Sequence, residues 1–196
     1  MSFSIIAAVG ENLELGLKGG LVFDIPEDMK FFRKTTTGHP VLMGLNTFRS
    51  IGKVLPRRRN LVVSKSDALQ KLFQEQGGPA RTLFNGRARL RREAPETAFA
   101  SAPEIVSDLE RFIRENKDTE EEIFVIGGGM IYRQLLPFSK VLYLTEVQAK
   151  READTFFPEF DKKLYDREVL GAGEKDDLKY EFVKYTLKGS PEGEMS

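Results

Sequence analysis

Short apolar runs separated by helix signals constrain this chain more than any other feature. Phe3 to Val9, Pro40 to Met43, Asn60 to Val63, Ile123 to Ile126 and Val141 to Thr145 have strand length, and several are apolar enough for burial on both faces. Pro26 opens a helix with Glu27 and Asp28 in its first turn, where the helix dipole favours acids; it runs past Phe31 and Phe32 to the stop at Thr35 to Gly38. Gly44 leads into a short helix from Asn46 to Ser50. Gly127, Gly128 and Gly129 feed another, from Met130 to Leu136, that Pro137 ends. The Ser101-to-Glu104 spacing spells a capping box and predicts a helix to about Asn116. From Glu168 to Leu187 two strands joined by Gly171, Ala172, Gly173 and a charged loop predict an antiparallel hairpin. Strands alternating with helices imply a three-layer α/β fold. Its central sheet is mostly parallel, with the antiparallel pair at one edge and helices on both faces.

Composition narrows the function classes. At 196 residues the chain has room for one domain, read here as 1–188, with an inserted segment at about 66–98 and a flexible polar tail, 189–196. The insert breaks the pattern with Gln, Gly, Pro and the arginines Arg81, Arg87, Arg89, Arg91 and Arg92. With no Cys there is no disulfide, no thiolate nucleophile and no Cys-ligated zinc. Thirty basic against 30 acidic residues argue against a general polyanion binder, so no nucleic-acid partner is expected. No apolar run approaches the ~20 residues of a membrane helix. The N-terminus lacks the basic region and cleavage site of a signal peptide, so the expected location is the cytoplasm. His39, the only His, stands outside any cluster, and no metal site is expected. No heptad or long apolar stripe points to a partner chain, so a monomer is expected.

In sheets of this kind ligands gather at the carboxyl ends of the strands, here the loops after Val9, Met43, Ser64, Ile126 and Thr145. Two strand–glycine–helix junctions, Met43 to Thr47 and Ile126 to Met130, present backbone N–H groups that suit a phosphate. One such glycine is usually structural; two in one sheet favour a bridging pyrophosphate. The usual dinucleotide fingerprint is missing after the first strand, and Glu11 and Glu14 in the loop there would repel phosphate. Asp28 reads either as a solvated first-turn acid or as a desolvated carboxylate. In the second case it would pair with a planar amidine through two charge-assisted hydrogen bonds. Arg57, Arg58 and Arg59 read as a solvated run, or as the source of one bidentate grip on a ligand carboxylate.

Taken in order, these pieces resemble dihydrofolate reductase. The carrying segments are Ser4 to Ala8, the Gly-containing loop to Ile25, Pro26 and Asp28, Pro40 to Gly44, Thr47 to Gly52, Leu55 to Asn60, Val125 to Gly129, Ile131 and Tyr132, Leu142 to Thr145, and Asp154 to Pro158. The resemblance covers most of the chain outside the insert. It implies NADPH-dependent reduction of 7,8-dihydrofolate to tetrahydrofolate. By it, Asp28 holds the pterin 2-amino group and ring nitrogen, helped by Thr145 through a water, while the proton arrives through solvent admitted by the loop from Gly10 to Ile25. Ile6, Ala8, Met29, Phe32, Ser50, Ile51 and Leu55 match pocket positions, and Arg58 matches the arginine that grips the glutamate tail. Tyr132 would lie near the nicotinamide. Ala8, Leu15, Gly16, Gly44, Leu45, Asn46, Thr47, Val63, Ser64, Lys65, Ile126, Gly127, Gly128, Gly129, Met130 and Ile131 match cofactor positions, and the Gly127–Gly128 bond is cis in relatives.

The chain departs from the family pattern at several of these positions. Phe23 replaces the usual Trp and so lacks its N–H, and Val22 replaces a customary Pro. Leu45 and Met130 stand where relatives often place cations near the cofactor phosphates; Lys65 and the arginines of the insert are the nearby basic candidates. Two other readings stay open beside the resemblance. One is the pyrimidine reductase of riboflavin synthesis; the other is a non-catalytic nucleotide- or pteridine-binding module.

Overall fold

In the computed structural model, residues 3–65, 81–82 and 103–189 are described. The chain runs β1 (Phe3–Val9), β2 (Glu14–Leu17), β3 (Gly20–Leu21), α1 (Pro26–Thr36), β4 (Val41–Gly44), α2 (Leu45–Ile51), β5 (Asn60–Val63), β6 (Arg81–Thr82) and β7 (Glu104–Val106). It continues with α3 (Leu109–Asn116), β8 (Ile123–Gly127), α4 (Gly129–Leu135), β9 (Ser139–Val147), β10 (Thr155–Phe156), β11 (Tyr165–Lys175) and β12 (Leu178–Leu187). Apart from Arg81 and Thr82, the expected insert lies outside the described residues, as does nearly all of the expected tail.

Nine strands form one sheet in the order β11-β12-β9-β1-β8-β4-β5-β7-β6. Every pairing from β9 to β6 is parallel, while β12 pairs antiparallel with both β9 and β11. This is the expected mostly parallel sheet with an antiparallel edge. Alternation along each strand sends side chains to two apolar layers. On one face Ile6, Val41, Met43, Val62, Phe124 and Ile126 pack with Phe31 and Phe32 of α1 and Phe48 and Ile51 of α2. On the other, Ile5, Leu42, Leu61, Val125 and Leu144 pack with Phe112 of α3 and Ile131 and Leu135 of α4. Full burial of one such side chain contributes about 1.5–3 kcal/mol, so the two layers fix the strand ends around which the loops are arranged.

Two local expectations are corrected. Ser101 and Ala102 lie outside the described residues, but Glu104 belongs to β7 and begins no helix; α3 starts later, with the Asp108 side chain accepting from the Arg111 N–H at 2.9 Å. The capping-box signal loses because Ile105 and Val106 bury themselves beside β5. Of the expected junction, the charged loop makes the hairpin turn, while Gly171 to Gly173 lie inside β11. Lys175 pairs with Leu178, and the two turn residues, Asp176 and Asp177, both take positive φ, as a tight two-residue hairpin requires and as Asp tolerates better than most residues. Gly173 serves close approach instead: a Cβ there would sit 2.4 Å from the Tyr180 hydroxyl.

Candidate active site

α1 crosses the face of the sheet so that its first turn meets β9. Pro26 and the two acids start the helix as expected, and the register places Asp28 toward the sheet. The Thr145 hydroxyl donates directly to Asp28 Oδ1 at 2.5 Å, a bond between residues 117 positions apart in the sequence. Burial raises the Asp28 pKa above its ordinary value of 3.8, and the Thr145 hydrogen bond opposes that rise in part. Asp28 is therefore the desolvated carboxylate of the two sequence readings. Ile6 and Leu55 are buried on the same face, with Phe32 and Ile51 packed against them; Ala8 and Met29 are partly covered. Beyond Ile6, the Tyr132 hydroxyl donates to the Ile6 carbonyl at 2.8 Å. Burial first, then the nearby Asp28 charge, pushes that phenol far above its ordinary range, so Tyr132 stays a neutral donor.

The arginine run separates into three fates. Arg57 takes a positive φ. Arg59 makes a bidentate ion pair with Glu104, its Nε and Nη2 donating at 2.9 and 2.6 Å. Arg58 is only 4% exposed. Its Nε donates to the Pro56 carbonyl at 3.0 Å and its Nη1 to Thr36 Oγ1 at 2.8 Å, and the guanidinium lies 5.7 Å from the centre of the Phe32 ring. Burial, then the charges of Arg33 and Arg57, lower its pKa, yet a guanidinium keeps its proton at any ordinary pH.

Two residues that shape this corner were not singled out in the sequence. Thr36 accepts from Arg58 and donates to the Phe32 carbonyl at 2.8 Å. Asn60, 2% exposed, accepts from the Leu55 N–H at 2.9 Å and donates to the Leu55 and Arg58 carbonyls at 3.0 and 2.9 Å. Its side-chain amide closes the 55–60 turn that aims Arg58. An Asn beginning an apolar strand straight after a charged turn was the available signal.

At the neighbouring strand ends the site is built from backbone. β4 and β8 pair side by side, and each runs through glycine into a helix whose first turn no side chain caps among the described residues. The Gly127–Gly128 bond is cis, as the resemblance implies. A Cβ at Gly127 or at Gly128 would sit 3.3 Å from Thr47 Oγ1, and one at Gly44 would sit 3.2 Å from Ile131. Glycine thus keeps a cradle open between two unfilled helix ends, which fits the phosphates of a dinucleotide. Val63 and Ser64 end the adjacent β5, and the Ser64 hydroxyl donates to the Lys65 carbonyl at 3.0 Å. Asn46, Lys65 and Met130 are exposed, Met130 by 71%, and Leu45 packs against the apolar layer.

The loop from Gly10 to Ile25 is more ordered than its glycines imply, because β2 pairs with both β3 and β10. Phe23 is buried with Ile25, Val147 and Tyr180, and its ring brings no proton-transfer group. Leu15 packs into the opposite apolar layer, and Gly16 pairs with Thr155. Ser50 spends its hydroxyl on the Gly19 carbonyl at 2.6 Å, tying the loop to α2. Lys18 N–H donates to Asp154 at 2.7 Å. One expectation is overturned: Glu14 does not face a ligand to repel it, since its carboxylate turns inward and is 2% exposed.

Comparison with known proteins agrees with this geometry. The family model described as dihydrofolate reductase matches residues 2–77 and 91–187. Dihydrofolate reductase of Bacillus subtilis (strain 168) is 33% identical over 190 residues, covering 95% of each chain. That of Haemophilus influenzae is 35% identical over 159 residues, covering 81% of this chain and 80% of its own. A solved structure of the Enterococcus faecalis dihydrofolate reductase, complexed with NADP(H) and RAB-propyl, superposes with a TM-score of 0.70 at 22% identity. It covers 96% of this chain and 97% of that one, a likeness of fold. The extent of the family match and the identities to these relatives place the chain in the dihydrofolate reductase family.

Proposed function

We propose that this protein reduces 7,8-dihydrofolate to 5,6,7,8-tetrahydrofolate with NADPH, acting as a monomer in the cytoplasm without nucleic-acid or membrane partners. The observation that carries the reading is the half-buried Asp28 carboxylate, oriented by Thr145 at the mouth of an apolar face. NADPH, when bound, supplies the hydride.

The chain's own residues do the rest. Asp28 accepts hydrogen bonds from the pterin 2-amino group and ring nitrogen. Its charge favours the protonated ring that takes hydride. Two opposite charges about 4 Å apart attract by about 4 kcal/mol at an effective dielectric of ~20, more than the ~1 kcal/mol of a neutral hydrogen bond. The charge is the larger effect. Thr145 fixes the carboxylate's rotation. Ile6, Ala8, Met29, Phe32, Ile51 and Leu55 exclude water from the ring, and proximity inside such a wall contributes several kcal/mol. Tyr132 braces the Ile6 carbonyl and moves no proton. Arg58, its position set by Thr36 and Pro56, holds the glutamate-tail carboxylate. Gly44, Thr47 and Gly127 to Gly129 receive the cofactor phosphates, with Ser64 and Lys65 at their flank. The proton comes from water, because Asp28 is committed to the far edge of the ring and Phe23 has none to give.

Mixing the protein with NADPH and dihydrofolate should remove the near-ultraviolet absorbance of NADPH at a rate proportional to protein. Tight binding of a diaminopteridine with no such loss would instead mean an inert pteridine-binding module.

A further inference from the structure

The Glu14 carboxylate is a covered anion with no cation on it among the described residues, at the root of the loop that separates β1 from Asp28. Its Oε2 accepts from the Asn12 N–H at 2.8 Å and its Oε1 from Asn12 Nδ2 at 3.2 Å. Burial opposes its charge, but the pull of neighbouring backbone N–H groups and of the Asn12 side chain outweighs it, leaving the pKa below the ordinary value. The carboxylate fills the space beside Gly10. A Cβ there would lie 2.3 Å from Glu14 Oε2, 2.9 Å from the Ala149 carbonyl and 3.0 Å from the Phe23 ring. The same turn is closed by Gly10 N–H donating to the Glu14 carbonyl at 3.1 Å and Leu13 N–H to the Gly10 carbonyl at 3.0 Å. Glu11 and Phe157 N–H groups tie it outward to the Ala149 and Leu13 carbonyls at 3.0 and 2.8 Å. Leu13 holds a positive φ in this turn.

We propose that Glu14 is a positioning residue for the reduction: its carboxylate, bonded to Asn12, holds closed the first turn of the Gly10-to-Ile25 loop, whose backbone is tied to Ala149 and Phe157, and so keeps Phe23 and the loop in place. The proposal rests on the reductase reading for its kinetic consequence, though not for its structural one. An anion suits this task because the backbone and side-chain N–H groups of Asn12 both donate to it, and a carboxylate is acceptor-only. Glutamine has nearly the same shape but turns one acceptor into a donor facing those N–H groups. Glu14→Gln therefore loosens the turn without opening a cavity.

Two measurements on the full chain decide it. In the ligand-free protein, amide hydrogen exchange of the 10–16 segment should speed up by about tenfold or more in Glu14→Gln, with α1 and β9 unchanged. In turnover, kcat should fall by roughly three- to tenfold as loop placement slips, and the primary isotope effect with 4-deuterated NADPH should rise as hydride transfer becomes slower than the other steps. The KM for dihydrofolate should stay put. A residue that merely stabilises the fold would lower the active fraction and leave the isotope effect alone. Unchanged exchange at 10–16, exchange accelerated throughout the chain, or an unchanged isotope effect would each overturn the proposal. If the wild type shows no turnover, the reductase reading fails instead, and the exchange pattern alone decides whether Glu14 pins the loop.

Discussion

The two halves of the proposed site, one for substrate and one for cofactor, are prepared in different ways. On the substrate side, side chains from distant elements are bonded to one another: Thr145 of β9 to Asp28 of α1, and Arg58 of the 55–60 turn to Thr36 of α1 over the Phe32 ring. On the cofactor side the fixed parts are backbone. Gly44 and Gly127 to Gly129 hold space against Thr47 and Ile131, while Asn46, Lys65 and Met130 stand exposed. A partly buried carboxylate and a buried guanidinium are costly, and each keeps its place only through partners. A backbone cradle costs little and discriminates weakly, because N–H groups donate to any phosphate. Specificity should therefore reside in the first half and affinity be shared by the second.

The largest effect expected from this contrast is that of Asp28→Asn. Turnover should fall by about 100-fold or more, the scale of losing a group that faces developing charge, while the fold persists. The same change should stabilise the protein above the raised Asp28 pKa. Between 3.8 and that raised value the native state binds more protons than the unfolded chain, so wild-type stability falls as pH rises through the window. Asn has no such slope. The advantage of the variant should thus be absent below the window and complete above it, as urea unfolding at several pH values would reveal. A variant that loses stability along with turnover would break the claim that the substrate side carries a charge held for chemistry.

How much of this was legible in the sequence follows the same division. The strand–glycine–helix junctions could be read locally, because a glycine run between an apolar strand and a helix means the same thing in most folds. The environment of Asp28 could not. Its burial depends on α1 meeting β9 across 117 residues, and without the resemblance a solvated first-turn acid favoured by the dipole is the preferred reading. Arg58 is one of three identical neighbours that the residues alone do not tell apart; the resemblance picks it out, and Thr36, Glu104 and Asn60 give the physical reason. The errors were of the same kind. Ser101 to Glu104 spelled a helix start, and pairing with β5 overruled it. Gly171 and Gly173 spelled a turn, yet the latter was set by the Tyr180 ring.

Next in size is Arg58→Leu, which keeps bulk in the corner. The KM for dihydrofolate should rise about tenfold to a hundredfold, the 1.5–3 kcal/mol range of a hydrogen bond to a charged group. Turnover of a dihydropterin lacking the glutamate tail should hardly change. Equal losses on both substrates would show that Arg58 only braces Thr36. Smaller again is Thr145→Val, near-isosteric but without the donor, expected to cost about tenfold in kcat/KM on the same scale. Because that hydrogen bond holds the Asp28 pKa down, its loss should move the protonation midpoint of Asp28 upward, seen by carbon-13 NMR of the labelled carboxylate.

The smallest effect tests the other half. Leu45 and Met130 sit at the first turns of α2 and α4, next to the glycine cradle, and neither brings a charge. If the cofactor side binds through backbone N–H groups alone, a cation placed there adds an attraction that nothing yet saturates. Exposed ion pairs contribute about 0.2–1 kcal/mol, so Met130→Arg, at the more exposed position, should tighten NADPH severalfold at most. Leu45→Arg should do no more, since it also gives up packing against the apolar layer. In both, the rate of hydride transfer from the bound complex should stay where it was, because orientation is set by the cradle and by Asp28. Fluorescence titration of NADPH with single-turnover rates separates the two quantities. A large gain in rate would mean that the cofactor half had been poorly positioned, and that the contrast between side-chain and backbone preparation is one of quality and not of kind.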